Sequence, residues 1–138
     1  MNKQDLKTNI KNRLESLTGW VAYDGSGDGG VPSDATFPYI IYRIGHGDST
    51  ENERIDRNLY IEFWIDQSDT SLLDEKSDIV RKGKYIDSEL VEPGLDKSYG
   101  HEGTNAFYNS YHDWEDYIPT GENNLNRFDQ RYILHVFG

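Results

Sequence analysis

Histidines and carboxylates are the residues of this chain that could perform acid–base chemistry. Three of the four histidines stand within two positions of a carboxylate: His46, His101 and His112. Acid–base catalysis needs such a pair to be held at a reacting group, and 25 Asp and Glu residues make a chance neighbour common. The fourth, His135, alternates with apolar residues in a strand-like segment. We therefore expect surface or hydrogen-bonding roles for the histidines, and a protein that is not an enzyme.

A glycine-rich segment at 24–30 resembles two kinds of ligand loop but completes neither. Asp24, Ser26 and Asp28 alternate like the first ligands of an EF-hand. The twelfth position of that loop is Ala35, where calcium binding needs a bidentate Glu. A phosphate-binding loop would continue into Gly-Lys-Ser/Thr, which is absent, and no Ser stands in Gly-x-Ser-x-Gly. We expect a surface loop, with no metal and no cofactor.

The composition excludes several further classes of site. The chain has no Cys, so disulfides, thiol catalysis and Cys-ligated zinc are ruled out. Lys and Arg number 14 against 25 Asp and Glu, a formal net charge of −11. Tight binding to phosphate backbones depends on clustered cations that release counterions, so we expect no specific nucleic-acid binding. The polar start and the lack of a long apolar run predict synthesis in a cytoplasm and no membrane contact.

Aromatic residues are abundant for so polar a chain: ten Tyr, five Phe and three Trp. A disordered chain would be poor in them. We therefore expect one domain, 1–138, with a small core and large amphipathic side chains, part of whose surface is hidden against copies of the same chain.

Apolar spacing predicts the elements that would position these residues. Four residues recur every three or four positions and form one face of an opening helix that Gly19 ends: Leu6, Ile10, Leu14 and Leu17. Between 58 and 66 the residues alternate, so that Tyr60 and Trp64 lie opposite the apolar face. That second face is unusually aromatic for solvent and is a candidate contact surface.

The remaining segments complete a predicted α+β fold, a largely antiparallel sheet packed by two helices in the order α-β-β-β-α-β-β. Strands are predicted at 20–23, 37–44, 58–66, 105–114 and 125–137, a second helix at 71–90, a loop at 95–104 and an acidic, aromatic turn region at 113–122.

Four features follow one another along nearly the whole chain: the opening helix (5–18), Phe-Pro-Tyr-Ile-Ile-Tyr (37–42), an alternating strand (59–66) that runs into a helix (71–90), and a closing strand (127–137). In this order they resemble the tail terminator proteins, also called tail-to-head joining or tail completion proteins, of long-tailed bacteriophages. Segment 95–124 departs from the family pattern.

The resemblance implies a structural virion protein of the tail and neck. Such a protein forms a ring, commonly a hexamer, on the completed tail tube, stops the polymerisation of the tube and joins the tail to the head. The implied partners are further copies of the chain, the tail tube protein and the head-completion protein of the neck. Alternative functions are the head-completion protein itself, a small acidic enzyme, or an acidic inhibitor that mimics nucleic acid.

Two sets of residues suit a ring of this kind. Tyr and Trp are favoured at the centre of protein contacts, and acidic side chains suit a channel that repels nucleic acid. The aromatic residues expected at subunit or partner contacts are Tyr60, Trp64, Trp114 and Tyr117. The acidic residues expected in loops or facing a channel are Glu51, Glu53, Asp113, Glu115 and Asp116.

Overall fold

The computed structural model describes residues 3–26, 30–45, 48–49, 54–102 and 105–137. These residues form two helices and nine strands. The helices are α1 (Lys3–Thr18) and α2 (Ser71–Lys82). The strands are β1 (Val21–Asp24), β2 (Tyr39–Ile44), β3 (Asp48–Ser49), β4 (Arg54–Ile65), β5 (Gly83–Ile86), β6 (Glu89–Pro93), β7 (Ser98–Glu102), β8 (Asn105–Ile118) and β9 (Asn126–Phe137).

Seven of these strands form one mixed sheet. Its order is β1-β2-β4-β9-β8-β7, with the short β3 paired to the beginning of β4. β1 runs parallel to β2, and the other neighbours are antiparallel. β5 and β6 form a separate two-stranded hairpin. The longest pairing, of β4 with β9, places two 12-residue strands at the centre of the sheet.

The core lies between one face of this sheet and the two helices. The four predicted core residues of α1 are at most 1% exposed, as are Leu59, Ile61, Phe63 and Ile65 of β4. From α2, Leu73 and Val80 join the same cluster. The apolar face of α1 and the apolar face of β4, which the helical period and the strand alternation predict, therefore belong to the same core on one side of the sheet. Within the described part of the chain, no helix has the length and hydropathy needed to cross a membrane.

The predicted fold class and strand order are wrong. The molecule is mostly sheet, the sheet is mixed because β1 and β2 are parallel, and the described residues follow the order α-β-β-β-β-α-β-β-β-β-β. Two segments, described next, account for most of the difference.

The predicted helix at 71–90 ends at Lys82. Gly83 has φ +103°, and a Cβ there would lie 2.4 Å from the carbonyl oxygen of Glu92, so only glycine fits this junction. The chain then turns back at Asp87 and Ser88, which both have positive φ, as the tight turn of a two-residue hairpin requires. Ile86 and Leu90, predicted on the helix, lie on this hairpin and are exposed.

The predicted loop at 95–104 and turn region at 113–122 are largely strand. β7 occupies Ser98–Glu102, and β8 continues to Ile118. The register of β8 against β9 shifts between His112 and Trp114. Such a bulge exchanges the faces to which successive side chains point, so the sequence of β8 shows no continuous alternation.

Candidate functional site

The face of the main sheet opposite the helices is the candidate site, and we call it the open face. Both described helices pack on the other side, so this face carries the alternate side chains of the strands. Strand register places these residues on it: Tyr39, Ile41, Arg43, Tyr60, Glu62, Trp64, Arg127, Asp129, Arg131, Ile133, Trp114 and Asp116.

One row of the open face alternates arginine with aromatic residues. Tyr60 pairs with Arg43 on β2 and with Arg131 on β9, and Arg131 pairs with Trp114 on β8. The side chains of Arg43 and Arg131 are 49% and 40% exposed. Tyr60 and Trp114 are 37% and 41% exposed. Side chains directly across a strand pair contact each other, so this row forms a continuous strip of rings and guanidinium groups.

Glu62 is the polar centre of the open face. Although it lies on the open side of the sheet, it is only 8% exposed. Its carboxylate accepts hydrogen bonds from Arg43 (3.1 Å) and from the indole nitrogen of Trp64 (3.0 Å), and Arg127 lies 3.7 Å away. The guanidinium carbon of Arg127 lies 5.3 Å from the centre of the Trp64 ring, within cation–π range. Trp64 is thus held in a fixed orientation.

The structure brings together three of the four predicted contact aromatics. Tyr60, Trp64 and Trp114 share the open face. Tyr117 does not, because after the bulge it pairs with Phe128 and points to the helix side. Its ring packs on Phe128 at 4.9 Å between centroids, and its hydroxyl donates to Asp74 of α2. That hydrogen bond is the main cause of the raised pKa of Tyr117.

Of the five predicted acidic loop residues, the structure describes three. Glu51 and Glu53 lie outside the described residues. Asp113, Glu115 and Asp116 lie in strand β8 and not in a loop. Asp113 accepts a hydrogen bond from Arg131 (2.6 Å) on the open face, where Asp116 is aligned with Asp129.

Glu115 points to the helix side and belongs to a polar cluster there. Its carboxylate lies 2.7 Å from Nε2 of His112 and 3.7 Å from Arg81 of α2, and the Gln130 amide donates to it. His112 thus faces Glu115 and not its neighbour Asp113. These contacts attach α2 to β8, a structural role for this histidine.

Asp24, the first residue of the EF-hand-like pattern, is also held in structural contacts. Its carboxylate pairs with Lys7 (2.8 Å) and accepts hydrogen bonds from Ser26. Asp28 lies outside the described residues. Within the described ranges, no three His, Asp or Glu side chains are grouped to hold a metal ion.

The sequence pattern alone did not identify Glu62, or the arginines around it, as parts of this site. Arg127 is paired with Asp129, and Arg131 is paired with Asp113. The alternation of β9 could have predicted that the two arginines of this strand share a face, because Arg127, Asp129 and Arg131 occupy every second position. The same period placed Tyr60 and Trp64 on one face of β4.

The outer edge of the sheet at β1 is closed by side chains of α1. The amide of Ala22 donates to Glu15 Oε2 (3.0 Å), and the carbonyl of Ala22 accepts from Lys11 Nζ (2.7 Å). These groups would otherwise be available to a strand from another molecule. The backbone groups of Ala22 are therefore not available for strand pairing with another molecule.

The fold has a counterpart among viral particles. The chain aligns with a chain from a solved structure of the virion of the native gene transfer agent (GTA) particle, with a TM-score of 0.56. The two chains share a fold. The alignment covers 91% of this chain and 84% of the other at 12% sequence identity. No protein-family model matches the chain, and no curated protein matches it by sequence.

Proposed function

We propose that this protein is a non-enzymatic structural component of a phage-like virion. The observation that carries the proposal is the shared fold with a chain of the GTA virion, which extends over nearly the whole of both chains. The open face supports it independently. A strip of exposed rings and arginines suits a protein contact, because aromatic and arginine side chains are the preferred anchors of interfaces.

Within the virion, we propose the role of a tail terminator: a closed ring, commonly a hexamer, that caps the tail tube and meets the neck. The sequence features that resemble this family support the role. Ring closure needs two different surfaces on each subunit, and the open face supplies one of them. The acidic excess also suits the role, since a ring whose subunits each carry a formal net charge of −11 repels the DNA that passes through it.

The test is an assembly reaction with the tail-tube protein of the same virus. The purified chain is added while tubes polymerise, and tube lengths are measured by negative-stain electron microscopy. We expect shorter tubes with extra density at one end. The Trp114→Ser variant removes an exposed ring from the open face. With this variant we expect tube lengths close to those of tubes grown without the chain. Glu75→Ser on α2 is the control and is expected to shorten tubes as the unaltered protein does. Tubes of unchanged length and without extra density would contradict the proposal.

A further inference from the structure

The β5–β6 hairpin is the most exposed apolar element of the described chain, and we call residues 83–93 the arm. Four of its side chains are 51–63% exposed: Tyr85, Ile86, Leu90 and Val91. An isolated two-stranded hairpin is marginally stable in water. Clustered apolar side chains of this kind mark interaction sites on soluble proteins.

The root of the arm is fixed. The amide of Leu95 donates to the carbonyl of Val80 (2.7 Å), and the amide of Asp96 donates to that of Arg81 (3.1 Å), so the chain leaving the arm is bonded to the end of α2. A Cβ at Gly94 would lie 2.4 Å from the Arg81 carbonyl oxygen, which shows how closely the two segments meet. The base of the arm is therefore anchored to the end of α2, and the exposed apolar side chains lie beyond that base.

The arm cannot cover the open face of its own chain. It follows α2 directly, and Lys84 near its root donates a hydrogen bond to the carbonyl of Ser16 in α1 (2.5 Å). Both helices lie on one side of the sheet and the open face on the other. The arm and the open face are therefore two exposed surfaces that the chain cannot cover with each other.

The arm also offers carboxylates close to its apolar side chains, and the open face offers arginines close to its rings. The arm carries exposed Asp87 and Glu89 at its turn, next to its apolar side chains. The open face carries Arg43 and Arg131 on either side of the Tyr60 ring. Each is bonded to a carboxylate of its own chain, Glu62 or Asp113, but their side chains remain 49% and 40% exposed, so guanidinium N–H groups can still meet a second carboxylate. Carboxylates at the rim of an apolar contact that meet arginines fix its register and orientation.

We infer that the arm of one copy of this chain packs on the Arg43–Tyr60–Arg131–Trp114 row of the next copy. The inference rests on the proposed function, because it names the second surface that a ring needs. Such a contact is heterologous: each copy offers its arm on one side and its open face on the other, and repetition closes a ring when the rotation per subunit allows it.

Cysteine cross-linking tests the contact directly, because the natural chain has no Cys. One preparation carries Ile86→Cys, a second carries Tyr60→Cys, and a third carries Glu75→Cys on the helix side as the control. Equal mixtures are oxidised and the products are resolved by mass. We expect a disulfide-linked dimer of the Ile86→Cys and Tyr60→Cys chains, and at least roughly tenfold less product from the Ile86→Cys and Glu75→Cys mixture.

A second measurement uses association without cross-linking. Ile86→Ser combined with Leu90→Ser removes two exposed side chains, and we expect association at least roughly tenfold weaker by light scattering, as the loss of their burial predicts. Circular dichroism checks that the variant is folded. Oligomers that form without the expected dimer, or that the double serine variant forms equally well, would overturn the arm contact and leave the proposed function standing. A chain that neither associates nor shortens tail tubes would overturn both.

Discussion

At the scale of single residues, Glu62 fixes the arrangement of the side chains around it on the open face. Its carboxylate is nearly buried on the side of the sheet opposite α1 and α2, and it holds Trp64 and two arginines by hydrogen bonds and ion pairs. A carboxylate surrounded in this way is costly to remove, because the donors around it lose their acceptor while the neighbouring ring loses its support.

Removing this carboxylate is expected to destabilise the fold and loosen Trp64. We predict that Glu62→Ala lowers the free energy of unfolding by about 1–3 kcal/mol, the usual cost of leaving buried polar partners unsatisfied. Urea unfolding followed by tryptophan fluorescence measures the change. Glu75→Ala on the exposed surface of α2 is the matched control and is expected to change stability by less than about 0.5 kcal/mol. Equal midpoints for the two variants would show that Glu62 does not organise the face.

Residue types and period predicted part of this site. Alternation in β4 placed Tyr60 and Trp64 on one face, and the structure has them there. No such period includes Tyr117, which lies in the predicted acidic, aromatic turn region. The register shift after His112 turns Tyr117 to the helix side. The local sequence does not predict this bulge, because the residues around it are nearly all polar or aromatic and show no apolar alternation that the bulge would interrupt.

At the scale of elements, the contact between α1 and β1 determines which edge of the sheet is closed. Partial burial acts to raise the pKa of Glu15, but hydrogen bonds from Lys11 and from the amide of Ala22 outweigh it, so the pKa lies below its ordinary value. Asp24 has a lowered pKa for similar reasons: burial is outweighed by bonds from Lys7 and Ser26. Both carboxylates are therefore more acidic in the folded chain than in the unfolded chain.

This difference gives the edge contact a defined pH dependence. Groups with a lowered folded-state pKa stabilise the fold above their unfolded-state pKa, and that stabilisation is lost as the pH falls through the folded-state value. We predict that stability declines between about pH 5 and about pH 3, and that Glu15→Gln makes this decline shallower. Urea midpoints across that range measure it, with Glu75→Gln as the control. A decline of unchanged slope in Glu15→Gln would contradict the assignment.

Elements with an uninterrupted period could be predicted, and those with an interruption could not. The period of α1 and the alternation of β9 correspond to elements within two residues of the predicted bounds, whereas β4 begins four residues before its predicted start. The helix predicted at 71–90 failed because Ile86 and Leu90 continue a helical spacing beyond Gly83, although the backbone there has a conformation that a helix cannot contain. Here backbone geometry overrides apolar spacing.

At the scale of the whole molecule, the arm and the open face are two exposed surfaces that the chain cannot cover with each other. The proposed arm contact would use both of them in repeated head-to-tail association. The similarity to a GTA virion chain concerns the fold. The proposed ring rests on the sequence features that resemble the tail terminators and on the surfaces described here.

The length of tails made in the absence of this chain tests the central claim most directly. Particles are produced from a phage genome that encodes the chain and from the same genome with its gene deleted, and tails are measured by electron microscopy. The account predicts tubes of uncontrolled length that are not joined to heads, with normal tails restored when the gene is supplied in trans. Tails of normal length that are attached to heads in the absence of the chain would contradict the account. Tails of normal length together with heads that do not retain DNA would also contradict it, and would assign the chain to the head side of the neck.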